Sequence, residues 1–210
     1  MSEIRKALDL LFRPGDVVEV RALHPEDVPV VGRIPYGEGL LHVLETYDDL
    51  GDYDLYYVLN PVLLPPSAMK EFNFGAKKHD IPWRRWFLLD ADPVRSFKIA
   101  TQEEFDAARL AVSKAKAWLE SRGWSGIVAA SSGNGCHLIV PCELPNDQES
   151  ERLVKVTQRA VSQKFSNERV SIECFCDADR ITRAYGTLNR KGKENSAQGL
   201  LHRRSGVIEL

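Results

Sequence analysis

Hydrophobic and polar positions change period repeatedly along this chain, and each change marks an element. Ile4 to Phe12 carries apolar residues at helical spacing and stops at Arg13-Pro14-Gly15, which predicts an opening helix. Val17 to Arg21 alternates instead, with Val18 and Val20 on one side and Glu19 and Arg21 on the other, as a strand does. Gly37 to Asp52 returns to the helical period on Leu40, Leu41, Leu44 and Tyr47. Asp54 to Asn60 is a further strand, ended by Pro61. Met69 to Trp83 is polar and basic and is expected to be a loop.

The second part of the chain has stronger signals. Trp86-Phe-Leu-Leu89 leads into Asp90-Ala-Asp92 as a buried strand with a charged end. Thr101 and Glu104 form a capping box, and Phe105, Ala108, Ala111, Val112, Ala115, Trp118 and Leu119 supply the stripe of a helix that runs up to Gly123. Short strands at Ile127 to Ala130 and His137 to Val140 flank a glycine-rich turn. Another helix is expected from Asn146, with Glu149 three residues on, through Leu153, Val156, Ala160 and Phe165, and a strand follows at Val170 to Cys174. This order is the split β-α-β-β-α-β plan of an α+β fold, with both helices on one face of one sheet.

Composition narrows the class. With 43% hydrophobic residues and 210 positions the chain can bury a real core. No apolar run approaches the roughly 18 residues of a membrane span, and no long apolar stretch follows the charged start, so a cytoplasmic protein is expected. The four cysteines, Cys136, Cys142, Cys174 and Cys176, lack zinc-ligand spacing and are expected to be reduced thiols. Net charge is only −2, yet between Arg180 and Arg204 seven basic residues face one acid, Glu194. That segment can grip a polyphosphate while the rest stays acidic.

Candidate chemistry gathers at three places. Strand alternation sends Asp90 and Asp92 to one face, where two anions need solvent or a hard divalent cation such as Mg²⁺ or Mn²⁺. The turn Ser132-Gly133-Asn134-Gly135-Cys136-His137 offers glycine backbone, a hydroxyl and an imidazole as donors to a triphosphate, although Asn134-Gly135 also suits a tight hairpin. A third acid is needed to orient a metal; Glu173 is the candidate, with Asp177 and Asp179 as rivals. Arg180, Arg183, Asn189 and Lys191 extend the donor set for phosphate, and Arg95 can serve either a carboxylate or a phosphate. Tyr185 is a candidate for the bulky group beside a nucleotide sugar.

Taken together, Leu88 to Pro93, Ser132 to His137 and Arg180 to Lys191 resemble the motifs of the archaeo-eukaryotic primase superfamily, and more narrowly the primase-polymerase domains of phages and mobile elements. The resemblance extends over nearly the whole chain. It implies an N-terminal α/β lobe over residues 1–80 and an RRM-like catalytic lobe over 81–210 with a basic C-terminal segment. It further implies Asp90, Asp92 and Glu173 as ligands of Mg²⁺ or Mn²⁺, and His137 as a contact for the incoming triphosphate. Ser132, Gly133, Asn134, Arg180, Arg183 and Lys191 would be further nucleotide-binding residues. Relatives of this type place an aspartate eight residues before the arginine matched by Arg180; here Ile172 holds that place and Glu173 comes next. The implied activity is templated nucleotidyl transfer: primer synthesis or DNA extension on single-stranded DNA from nucleoside triphosphates, with a helicase as further domain or partner. The alternatives are a weak or inactive template-binding module of the same fold and a metal-dependent phosphodiesterase.

Overall fold

The computed structural model describes residues 1–71 and 74–210. In chain order the elements are α1 (Glu3–Leu11), β1 (Val17–Leu23), β2 (Val30–Pro35), α2 (Glu38–Leu50), β3 (Asp54–Val58) and β4 (Ser67–Glu71). Then come a single 3₁₀ turn at Lys78–Asp80, β5 (Trp83–Pro93), α3 (Gln102–Glu120), β6 (Val128–Ser131), β7 (Cys136–Pro145), α4 (Gln148–Phe165) and β8 (Val170–Cys174). The C-terminal part adds β9 (Ile181–Arg183), β10 (Leu188–Asn189), a 3₁₀ turn at Ser196–Gln198, β11 (Arg203–Arg204) and β12 (Gly206–Val207). The fold is α+β with antiparallel sheets.

The span β5-α3-β6-β7-α4-β8 has the expected split order, and its sheet runs β12-β6-β7-β5-β8. The first sheet runs β4-β2-β1-β3-β9, so it takes its last strand from the C-terminal part of the chain. Strand β5 separates the layers by alternation. Phe87, Leu89 and Ala91 pack with Ala108, Val112, Leu119, Val154 and Val161 of the two long helices. Leu88 joins the other core, with Leu8 and Leu11 of α1, Val18, Val20, Tyr57 and Tyr185. Asp90 and Asp92 follow Leu88 at period two, so the acids lie on the face turned toward the first sheet and away from α3 and α4.

Two expectations change, and the polar side of β1 finds partners that alternation did not specify. The Met69–Trp83 loop gives up its beginning to β4, which pairs along β2 at Val30↔Glu71 and Val31↔Lys70, and its middle to the 3₁₀ turn; its positions 72 and 73 lie outside the described residues. Sheet edges tolerate the polar side chains that suggested a loop. On the polar side of β1, Glu19 is fully buried, bonded to Arg21 (2.9 Å) and Arg33 (3.2 Å), and both its oxygens accept from Ala76 N–H (2.9 and 2.7 Å). The second long helix is rotated from its expected face. Asp147, not Asn146, is its cap, accepting from Ser150 N–H at 2.8 Å, and Ser150, Val154, Gln158 and Val161 point inward. Leu153 and Val156 stand 53% and 58% exposed. Gln158 wins an inward position because its amide donates to Leu88 O (2.8 Å) and Phe175 O (2.9 Å), tying helix, sheet and loop together.

Candidate functional site

The register of the second sheet places the predicted chemistry in a row. Ala130 opposes His137, His137 opposes Asp90, and Asp90 opposes Glu173, all on one face; Asp92 stands two residues on, opposite Ser171. Between this face and the first sheet lies a cleft of about 290 Å³. Asp90, Asp92, Ser132, Asn134, His137, Arg180, Arg183 and Lys191 border it, together with Arg95 and Asn189. Residues more than a hundred positions apart therefore meet at one place. Gly133 and Glu173 are not among the residues that line it.

Both aspartates already have a cationic or basic neighbour. Asp92 Oδ1 receives Arg95 Nη1 at 3.1 Å, and His137 Nε2 lies 3.1 Å from Asp90 Oδ1. That Asp90 oxygen is buried without a well-aligned hydrogen bond. Burial opposes ionisation of Asp90, but the imidazole of His137, with Arg180 and Lys191 farther off, outweighs it and holds the carboxyl below its ordinary range. Glu173 moves the other way. Burial and then the charges of Asp90 and Asp92 raise its carboxyl, against the opposing pull of Arg180 and Arg95. Asp177 and Asp179 border a different depression, with Arg21, Lys78 and Arg180, so register brings Glu173 rather than either rival beside Asp90.

As the side chains stand, no group of three or more His, Cys, Asp or Glu among the described residues is shaped to hold a metal ion. Two features nevertheless fit a hard cation: the donors are carboxylates, and one of their oxygens is buried and unsatisfied.

The glycine-rich turn is not a ready phosphate cradle. Gly133 N–H donates to Ser131 Oγ (3.0 Å), Gly135 N–H to Ser132 Oγ (3.0 Å) and Ser132 N–H to Gly135 O (2.9 Å), so these donors are spent inside the turn. Its residue at positive φ is Gly133, at +95°, and not the Asn134-Gly135 pair of a primed hairpin. Asn134 Oδ1 faces inward, accepting from Ala100 N–H at 3.0 Å. His137 is 4% exposed; its Nδ1 is hydrogen-bonded with Tyr185 Oη at 2.7 Å, and its Nε2 lies against Asp90.

The basic segment is largely neutralised too. Arg183 donates to Asp54 Oδ1 (2.7 Å) and to Tyr56 Oη (3.0 Å), while Arg190 and Arg204 converge on Asp48. The surplus cations seen in the sequence are answered by acids of the first sixty residues, which no local pattern couples to them. Arg180 and Lys191 remain for a ligand. The Arg180 guanidinium carbon lies 3.3 Å over the Phe175 ring with its Nε buried and unbonded, and Lys191 Nζ lies 5.6 Å from the Tyr56 ring centre. Tyr185 is no cleft wall; it is fully buried behind His137. The aromatic wall is Tyr56, which the sequence offered only as one of two adjacent tyrosines on a strand.

No protein-family model matches the chain, and no curated protein or solved structure matches it significantly. No helix among the described residues is long and apolar enough to cross a membrane.

Proposed function

We propose that this cleft is the active site of a metal-dependent nucleotidyltransferase, a primase-polymerase that makes primers or extends DNA on a single-stranded DNA template, and that the split sheet is the catalytic core of an archaeo-eukaryotic primase-like fold. The observation that carries this reading is the transverse row His137, Asp90, Glu173, with Asp92 on the same face and Arg180 and Lys191 across the cleft. Asp90, Asp92 and Glu173 are the residues that would hold Mg²⁺ or Mn²⁺, which when bound supplies activation of a 3′-hydroxyl and neutralisation of the departing pyrophosphate. Arg180 and Lys191 bind and neutralise the oxygens of the nucleoside triphosphate as negative charge shifts toward the leaving group. Tyr56 gives the nucleoside a flat wall.

A neighbouring groove of about 830 Å³ shares Leu23, Tyr56, Arg95 and Lys191 with the cleft and adds Lys98. Its basic lining and its continuity with the acids support a path for the template strand. A helicase, as a further domain or a partner, would deliver such a strand.

The test is incorporation of labelled nucleotides on single-stranded DNA with Mg²⁺ or Mn²⁺, with and without primer. Pyrophosphate release that disappears in Asp90→Ala/Asp92→Ala is expected. Extension indifferent to those changes, or none at all, leaves the template-binding module; release of nucleoside monophosphates from DNA points to a phosphodiesterase.

A further inference from the structure

We propose that the outer face of α3 docks a second copy of this chain, the two helices running antiparallel about Leu110. Helix α3 buries Ala108, Ala111, Val112, Ala115 and Leu119 and leaves Asp106, Leu110 and Lys114 exposed. Leu110 is 56% exposed and borders a groove of about 480 Å³, to which Ala107, Ala111 and Phe165 contribute apolar surface. Glu103 and Arg169, on the same groove, answer each other at 2.7 Å. Asp106 accepts from Gln102 at 3.0 Å, but neither it nor Lys114 has an ion-pair partner among the described residues.

The order of these residues is what selects the occupant. Asp106 precedes Leu110 by four residues and Lys114 follows it by four, so the sign of charge reverses at the leucine. Residues four apart share one row on a helix surface, and helices pack along such rows. When a second α3 is turned end for end about an axis at Leu110, each leucine meets its counterpart. Asp106 of each copy then comes opposite Lys114 of the other, about 6 Å along the axis on either side of the centre. A parallel arrangement sets acid beside acid and lysine beside lysine, so charge favours the antiparallel one.

A uniformly acidic or basic ligand leaves one end of this row unmatched, whereas a second copy matches both. The surface is self-complementary, and such a contact closes at two copies. Its small apolar centre suits weak, concentration-dependent pairing. Helix α3 packs on the face of the second sheet opposite the acids, so the clefts of both copies stay clear of the contact.

The test is sedimentation velocity of the full chain from about 5 to about 500 μM. Wild type should pass from one copy to two as concentration rises, and no further. Leu110→Glu sets two carboxylates against each other at the centre and should stay single throughout. Asp106→Lys alone and Lys114→Asp alone place like charges at both ends, and each should weaken pairing about tenfold or more. Mixed one to one, these two variants should pair with each other, because each supplies the charge the other lacks. All three positions are exposed, so circular dichroism should show the folds unchanged. A wild type that stays single at every concentration overturns the proposal and leaves the groove to a different molecule. Assemblies larger than two, pairing indifferent to Leu110→Glu, or a mixture that associates no better than its separate components overturn it as well. None of these outcomes depends on the chemistry of the cleft.

Discussion

At the scale of single residues, the cleft separates side chains that hold the fold from side chains left over for a ligand. Arg183 and Arg180 are three positions apart, yet Arg183 is 2% exposed and bound to Asp54 and Tyr56, whereas Arg180 has its Nε unbonded. Arg183→Leu should therefore cost about 3 kcal/mol, because it takes the cation from a partly buried carboxylate and leaves that oxygen of Asp54 only the Arg190 N–H. Arg180→Ala or Lys191→Ala should instead weaken binding of a nucleoside triphosphate severalfold; calorimetric melting and a fluorescent nucleotide titration distinguish the two outcomes. Gly135 packs directly against the acid strand. A Cβ there would lie 2.6 Å from Ala91 O and 2.8 Å from Asp92 Oδ1, so Gly135→Ala should displace the acid strand and lower stability by about 2 kcal/mol. Gly15→Ala, at φ +94° with nothing within 4 Å, pays only backbone strain of about 1 kcal/mol and serves as the control.

At the scale of elements, capping chemistry was legible and helix rotation was not. The Thr101 and Glu104 box is present with its reciprocal bonds, because a cap needs only residues three apart. The buried side of α4 could not be read from Leu153 and Val156, since the inward place went to Gln158 and its two carbonyl partners from distant segments. Gln158→Leu should destabilise by about 2 kcal/mol by leaving those carbonyls buried and unbonded. Leu153→Gln and Val156→Ser should stay within about 0.5 kcal/mol of wild type in denaturant titrations, as exposed positions do.

For the whole molecule, one carboxylate of α2 ties three points of the C-terminal segment to the N-terminal part. Asp48 accepts from Leu188 N–H (3.0 Å), Arg190 (2.8 Å) and Arg204 (2.7 Å). Burial alone would raise its carboxyl, but these partners outweigh burial and hold it below the ordinary range. A depressed folded value means that the stabilisation is complete above the unfolded value of about 3.9 and is lost as pH falls through the folded one. Melting temperatures of wild type and Asp48→Asn should thus differ most near neutrality, by the equivalent of about 3 kcal/mol, and converge toward pH 2. A difference that grows in acid would contradict this linkage.

Sequence alone determined the element order from 86 to 174, the split arrangement it implies, and the candidacy of Asp90, Asp92, His137, Glu173 and Arg180, since period, caps and motif spacing are local properties of the chain. Tertiary structure decided which of these are free. Pairing β9 beside β3 and closing the C-terminal segment over α2 brought Asp48 and Asp54 to the arginines, and set Tyr185 behind His137. Charge and hydrogen-bond satisfaction depend on distance in space, and dozens of intervening residues conceal that distance from any local pattern.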